Sequence, residues 1–264
     1  MPLPPQRARR ITRQTTLKEM AGWQVIAQRE LLQHRRAIVV LAVSALCLLL
    51  LEYYVIRGVF WQNLRPWLAP FFTMLGVPAR LQPNVGWALG CVLAYTLLPA
   101  LTIKLLLRDS IGNYGVKTAG YWRHLPLYLL LVSPVLLSLL LASRQPAFQQ
   151  SYPFYWPNSA GELLIWELAY LAQFAALEFF FRGFMVHGLR PSLGRSGAVL
   201  FMVLPYMMIH YSKPWLEAGG AVVAGLVLGG LSLATRSIWG GVTMHGLVAL
   251  SMDLLALYHR GWFE

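Results

Sequence analysis

Acidic side chains are scarce in this chain. Ten Asp and Glu face 22 Lys and Arg, for a formal charge of +12, and charged residues of both signs make up only 12% of the 264 positions. A soluble domain usually carries about twice that charged share, so an ordinary water-facing surface is excluded. Cysteine is scarcer still. Cys47 and Cys91 both fall in apolar runs and lack metal-ligand spacing, which excludes a disulfide framework or a cysteine-based metal site and leaves both as packing residues. The chain has no His-Glu-x-x-His run, no internal repeat and no low-complexity linker. No base-reading module accompanies the basic charge, so nucleic acid is not an expected partner; basic residues flanking apolar runs are the ordinary determinant of membrane topology.

What is abundant is apolar surface. Hydrophobic residues make up 57% of the chain, with a mean hydropathy of +0.54. They gather in seven long runs, 37–56, 86–103, 125–142, 163–181 and somewhat beyond, 197–211, 218–234 and 238–257, each near the roughly 20 residues a helix needs to cross a bilayer. An eighth stretch, 67–77, is short and broken by Pro70 and Gly76, which predicts an interfacial or re-entrant segment. Within lipid the backbone must satisfy its own hydrogen bonds, so the expected fold is all-α, a polytopic bundle of seven to eight transmembrane helices. Residues 1–36 read as a basic, partly amphipathic segment on the membrane surface, too long and too basic for a cleavable signal. Residues 37–264 read as one bundle. In the sixth run Ala221, Gly225 and Gly229 recur four apart, a spacing that lets helices approach closely.

Orientation follows from the basic residues. With a cytoplasmic N-terminus, inside segments hold 16 Lys and Arg, three of them at 182–195, against six outside. The positive-inside rule then puts the N-terminus in the cytoplasm and the C-terminus outside.

Ionisable groups inside hydrocarbon are expensive and mark function. Glu178 and Arg182, in "FAALEFFFRGFMVHG", are four apart with the acid first, the favourable order for a helical ion pair. Glu167 lies eleven residues before Glu178, about 20° away around a helix and about 16 Å along it, so the two share a face. Tyr206 and His210 close the fifth run in "LPYMMIHYSKP", and His245 lies in the seventh in "SIWGGVTMHGLVALSMD". Two histidines and a carboxylate on three neighbouring spans form the kind of titratable cluster an active site needs. Such a set also matches a known zinc donor set, although no metal or other cofactor is required by the sequence. Lys213 and Glu217, in "YSKPWLE", form the rim of a cleft that opens to the extracytoplasmic side. Alternatively, a chain of Glu and His can relay protons in a transporter, but there is no repeated half to support transport.

The ordered set "EFFFRGF", "YMMIH" and "SIWGGVTMHGLVA" resembles the CPBP family, which includes CAAX-prenyl endopeptidases and bacterial bacteriocin-processing and immunity proteins. The resemblance covers a core at about 155–257. It implies an intramembrane endopeptidase of the plasma membrane of a bacterium, with Glu178, His210 and His245 as catalytic residues supported by Arg182, Tyr206 and Glu167, no metal, and a membrane-anchored, lipidated or exported protein as substrate. Two positions depart from the family pattern. Leu177 stands where the family usually has the first of two glutamates, the one assigned to water activation. Ala249 stands where an oxyanion donor is usual, four residues after the histidine. These departures also admit a catalytically silent relative that binds or protects another membrane protein.

Overall fold

The computed structural model describes residues 34–263; the basic segment expected at the N-terminus lies almost wholly outside them. Among the described residues the chain is helical throughout: α1 His34–Ile56, α2 Val59–Met74, α3 Gln82–Leu106, α4 Ala119–Ala142, α5 Pro146–Ser151, α6 Ala160–Glu178, α7 Gly188–Met208, α8 Trp215–Thr235 and α9 Trp239–His259. Six helical stretches are long and apolar enough to cross a membrane. Their outward faces are apolar too: only 17% of the apolar window of α4 is buried, and Leu130, Leu137 and Leu141 stand exposed on it. A helix apolar all round belongs in lipid or in a core, and this one has no core around it. The protein is an integral membrane protein.

One of the six stretches, Ala160–Met208, runs for 49 residues. At 1.5 Å per residue that is about 74 Å, more than twice the roughly 30 Å hydrocarbon core. Gly194 resolves the excess. Its φ of 70° and ψ of 179° lie outside helical space and open to glycine alone, and the chain doubles back there. Arg182 and Tyr206, twelve residues on either side of Gly194, are in face-to-face contact, as a hairpin demands. The stretch is therefore two crossings, and the bundle has the seven expected from the sequence.

The crossings alternate consistently. On one side, which we term the near side, Arg36 at the start of α1 pairs with Asp109 beyond α3 at 2.8 Å and donates to the Gly188 carbonyl at 3.2 Å. There too the Ile238 amide donates to the Gly115 carbonyl. On the far side Ser143 after α4 meets His259, Arg80 meets Tyr155, Tyr152 meets Glu217, and Trp262 meets Pro157. The short helix α2 adds no crossing. Its residues Phe60 and Trp61 lie against Gly90 and Gly86 of α3, while the ends of α1 and α3 already share the near side. The 67–77 stretch is thus held on one side of the bundle, and the parity of the later spans stands.

Prolines do not break these helices: Pro99 sits within α3, and Pro126 and Pro134 within α4. The stripe of small residues on α8 packs as its spacing predicts. Gly225 faces Val203 and Tyr206, and Gly229 faces Met202 and Val199, so α8 presses against the helix that carries Tyr206. One reading needs correction. Arg182 was counted with the inside loop charges, but the helix continues through it and buries it completely. The excess remains large without it.

Candidate active site

Helix α6 begins with a capping arrangement. The Ser159 hydroxyl accepts from the Glu162 amide at 3.2 Å, and the Glu162 carboxylate reaches back to the Asn158 amide at 2.8 Å, which satisfies donors that a helix start leaves free. At its other end the helix widens. Phe179–His187, nine residues and all buried, is wound as a π-helix. Such winding is rare and concentrates at functional sites. It directly follows Glu178.

Glu178 is fully buried and holds two partners with one oxygen. Its Oε1 lies 2.7 Å from Nδ1 of His245 and 3.1 Å from Nη1 of Arg182. The Arg182 guanidinium also lies 3.8 Å from the centre of the Tyr206 ring, so the cation is stabilised by a carboxylate and by an aromatic face. On the other side of His245, Nε2 lies 2.8 Å from the Tyr206 hydroxyl. Arg182, Glu178, His245 and Tyr206 therefore form one continuous polar chain across α6, α7 and α9. Phe174 stacks on the His245 ring at 5.3 Å and 9°, which fixes the plane of the imidazole.

The proton positions follow from the partners. A carboxylate only accepts, so His245 donates through Nδ1 and offers Nε2 as acceptor to the Tyr206 hydroxyl. His210 lies in the turn just past the end of α7, its ring edge-on to Tyr206 at 4.9 Å. Its Nδ1 donates to the Tyr206 carbonyl at 2.8 Å, because a carbonyl also only accepts. A neutral His210 then presents Nε2 as a hydrogen-bond acceptor.

Exposure separates these groups. Glu178 and Arg182 are sealed, whereas the His245 side chain is 17% exposed and His210 is half-buried. The second glutamate oxygen, Oε2, has no hydrogen-bond donor among the described residues. It rests on Gly241, where an added Cβ would come within 2.0 Å. That glycine is a part of the site which motif reasoning about ionisable residues passed over. The signal was present as the Gly-Gly pair four residues before His245.

The other expected residues lie elsewhere. Glu167 does share a face with Glu178, since both look toward α9, but its partner is Asp253. Lys213 and Glu217 gather at the far-side rim around Tyr152. Leu177 is buried in the main apolar cluster, and Ala249 in a second one with Trp166 and Tyr170. Among the described residues no group of three or more His, Cys, Asp or Glu is gathered as metal ligands.

A membrane bundle of seven crossings that buries a Glu-His-Tyr chain where three of them meet belongs to the class of polytopic proteins with an intramembrane polar site. Residues 159–251 match the family described as type II CAAX prenyl endopeptidase Rce1-like, a segment that contains every member of the chain just described. The match covers about a third of the chain, and over that segment the chain is similar to the family. No curated protein and no solved structure matches the chain.

Proposed function

We propose that the protein is an intramembrane endopeptidase that cleaves a membrane-anchored, lipidated or exported protein with glutamate-activated water. The observation that carries this reading is the unbroken hydrogen-bond chain from Glu178 through His245 to Tyr206, at 2.7 and 2.8 Å. The Glu178 carboxylate accepts from Nδ1 of His245 and so fixes the tautomer that offers Nε2 as the acceptor. A water held by the acceptor nitrogen of His210 can pass its proton to the Tyr206 oxygen while Tyr206 passes its own to His245 Nε2. The hydroxide adds to the scissile carbonyl, and the same path in reverse protonates the departing amine as the C–N bond breaks. Charge and protons balance without any group leaving the site. Positioned acid–base groups of this kind contribute about 10²- to 10⁴-fold.

With the basic near side in the cytoplasm, His210 and the rim face the extracytoplasmic half of a bacterial plasma membrane. That supports a substrate presented from outside. The second reading, a silent relative that binds or protects a partner, is favoured by the apolar burial of Leu177 and Ala249, which removes two groups the family uses. The experiment measures uncleaved membrane substrate in cells carrying wild type, Glu178→Gln, His210→Ala or His245→Ala at matched protein levels. Accumulation in all three supports the endopeptidase, and normal processing in all three retires it in favour of the binding reading. A chelator arm reports on zinc: loss of processing there would require a metal.

A further inference from the structure

The near-side end of the α7–α8 seam carries a groove that the polar site does not use. It holds about 350 Å³, within the roughly 300–1,000 Å³ of small-molecule sites. Its floor is Gly230, where an added Cβ would meet nothing within 4 Å, and its walls include Val199, Leu226 and Leu233. Arg195 and Ser196 line its near-side end, just past the turn at Gly194. The dent has a local cause. Gly229 draws α8 against Val199 and Met202, while Gly230, the next position round the helix, has no side chain to fill the space beside that contact.

The near-side end of this groove is basic, with no acid to neutralise it. Between Glu178 and Glu217, and again between Glu217 and Asp253, the chain contains no acidic residue. Arg190 and Arg195 fall in the first interval and Arg236, directly after α8, in the second. All three are exposed, and among the described residues none of them forms an ion pair. Arg36, on the same side, is by contrast matched by Asp109. Below the arginine the slot is apolar: Leu226 lies seven residues of helix from Leu233, about 10 Å deeper. A cationic end above an apolar slot is the complement of a phospholipid. Basic pockets between spans on the cytoplasmic side are where anionic head groups bind, and the excess of bases puts this side in the cytoplasm.

We infer that this groove binds a phospholipid with an anionic head group, its phosphate against Arg195 and Ser196 and one acyl chain along Gly230. The inference stands apart from the endopeptidase reading. A guanidinium presents paired N–H donors that match two phosphate oxygens, and the Ser196 hydroxyl can donate to a third. The acyl chain touches α7 and α8 at once. It therefore extends the contact that, one to two turns deeper, sets Gly225 against Val203 and Tyr206. A ligand that bridges two helices of the folded bundle stabilises that state.

The test uses the full-length protein in detergent micelles and two lipids with the same acyl chains, phosphatidylglycerol and phosphatidylcholine, which differ in head-group charge. Native mass spectrometry measures bound lipid, and intrinsic fluorescence follows melting. Phosphatidylglycerol should bind about fivefold tighter than phosphatidylcholine and raise the melting temperature as it saturates. Arg195→Gln should erase that preference. Gly230→Leu, which fills the floor, should lower the binding of both lipids. Lys104→Gln, at an exposed base on the near-side end of α3 and outside the groove, should change neither. Equal binding of the two lipids overturns the site. So does a preference that survives both groove substitutions, or one lost equally in Lys104→Gln, which would mean a diffuse attraction to the basic side. Displacement of the lipid by soluble glycerol phosphate at matched concentration would assign Arg195 and Ser196 to a free phosphate instead. Arg195 and Gly230 are both exposed, so both variants should fold; if one does not, the other and the wild-type comparison still decide.

Discussion

Replacing Gly241 with alanine tests the site without needing a substrate. The new Cβ would lie 2.0 Å from Oε2 and 2.6 Å from Cδ of Glu178, against an ordinary contact of about 3.5 Å. Relief takes a shift of about 1.5 Å, either by α9 or by the carboxylate. The second route breaks the 2.7 Å contact to His245 or the 3.1 Å ion pair to Arg182. Overpacking of this kind costs about 1–3 kcal/mol, and for a chain of this size each kcal/mol lowers the melting temperature by about 2–4 °C, so a fall of about 2–12 °C is expected. The control is Gly230→Ala on α8, where nothing lies within 4 Å and the added methyl should be neutral or stabilising by up to about 1 kcal/mol. A double-mutant cycle with Glu178→Ala isolates the contact. In that background the methyl has room, and the coupling should reach about 1–2 kcal/mol. Melting is followed by intrinsic fluorescence in detergent. A Gly241→Ala protein that melts with wild type, or a cycle with no coupling, would refute the placement of Glu178 against α9.

Arg182→Ala leaves a buried carboxylate with one partner fewer, which costs about 3–5 kcal/mol; folded yield should fall sharply, as size-exclusion profiles at matched expression will show. Tyr206→Phe keeps the ring that supports Arg182, Phe181 and His210 and removes only the hydroxyl, so folding should hold while processing drops by at least tenfold and its pH profile shifts, read by the same accumulation assay. Asp109 gives a pH signature. Partial burial pushes its carboxyl up, but hydrogen bonds from Arg36, Asn113 and the Ser110 amide outweigh this and hold it down at about 2. Because the folded value lies below the ordinary one, the stabilisation is complete above about pH 4 and is lost as pH falls toward 2. The melting difference between wild type and Asp109→Asn should therefore be constant from pH 7 to about 5 and close below pH 4.

The fold was legible because a bilayer constrains sequence strongly. Every long apolar run became a crossing, and the break in Ala160–Met208 fell in the polar stretch between two runs. The α6–α7 hairpin followed from the same pattern, with Gly194 as the residue that permits the turn. The chemical cluster was partly legible, since Glu178 and Arg182 are neighbours along one helix and His245 lay in a motif. The direct bond between Tyr206 and His245 was not, because it spans 39 residues and depends on how closely α8 lets α7 approach. Glu167 pointed the right way but toward Asp253, because periodicity gives the face of a helix and not the partner on the next one. Local pairing rules also say nothing about Arg36 and Asp109, which are 73 residues apart.

If the chain is the endopeptidase proposed above, its two departures from the pattern of the family it resembles shift where the chemistry resides. Leu177 is packed in the apolar core with 5% exposure and Ala249 in another cluster with 7%, so neither position can be replaced by a nearby water without opening a packed interface. On the endopeptidase reading proposed above, water activation falls to groups with exposed surface, and among the four residues of the buried chain His245 alone has it, with a half-buried His210 near by. Glu178 has no exposed surface, which suits a residue that orients its neighbour His245 better than one that touches water. Among the described residues the Tyr206 hydroxyl is the donor aimed at His245 Nε2, and protonation of that nitrogen reverses the bond. The imidazolium becomes the donor, and the hydroxyl hydrogen is free to turn toward a developing oxyanion at the moment one forms. A donor released only by the proton transfer stabilises the transition state and not the ground state, which is the property Ala249 cannot supply. Tyr206→Phe should consequently lower kcat and leave KM near its wild-type value; an equal loss in affinity with kcat intact would assign Tyr206 to substrate binding instead.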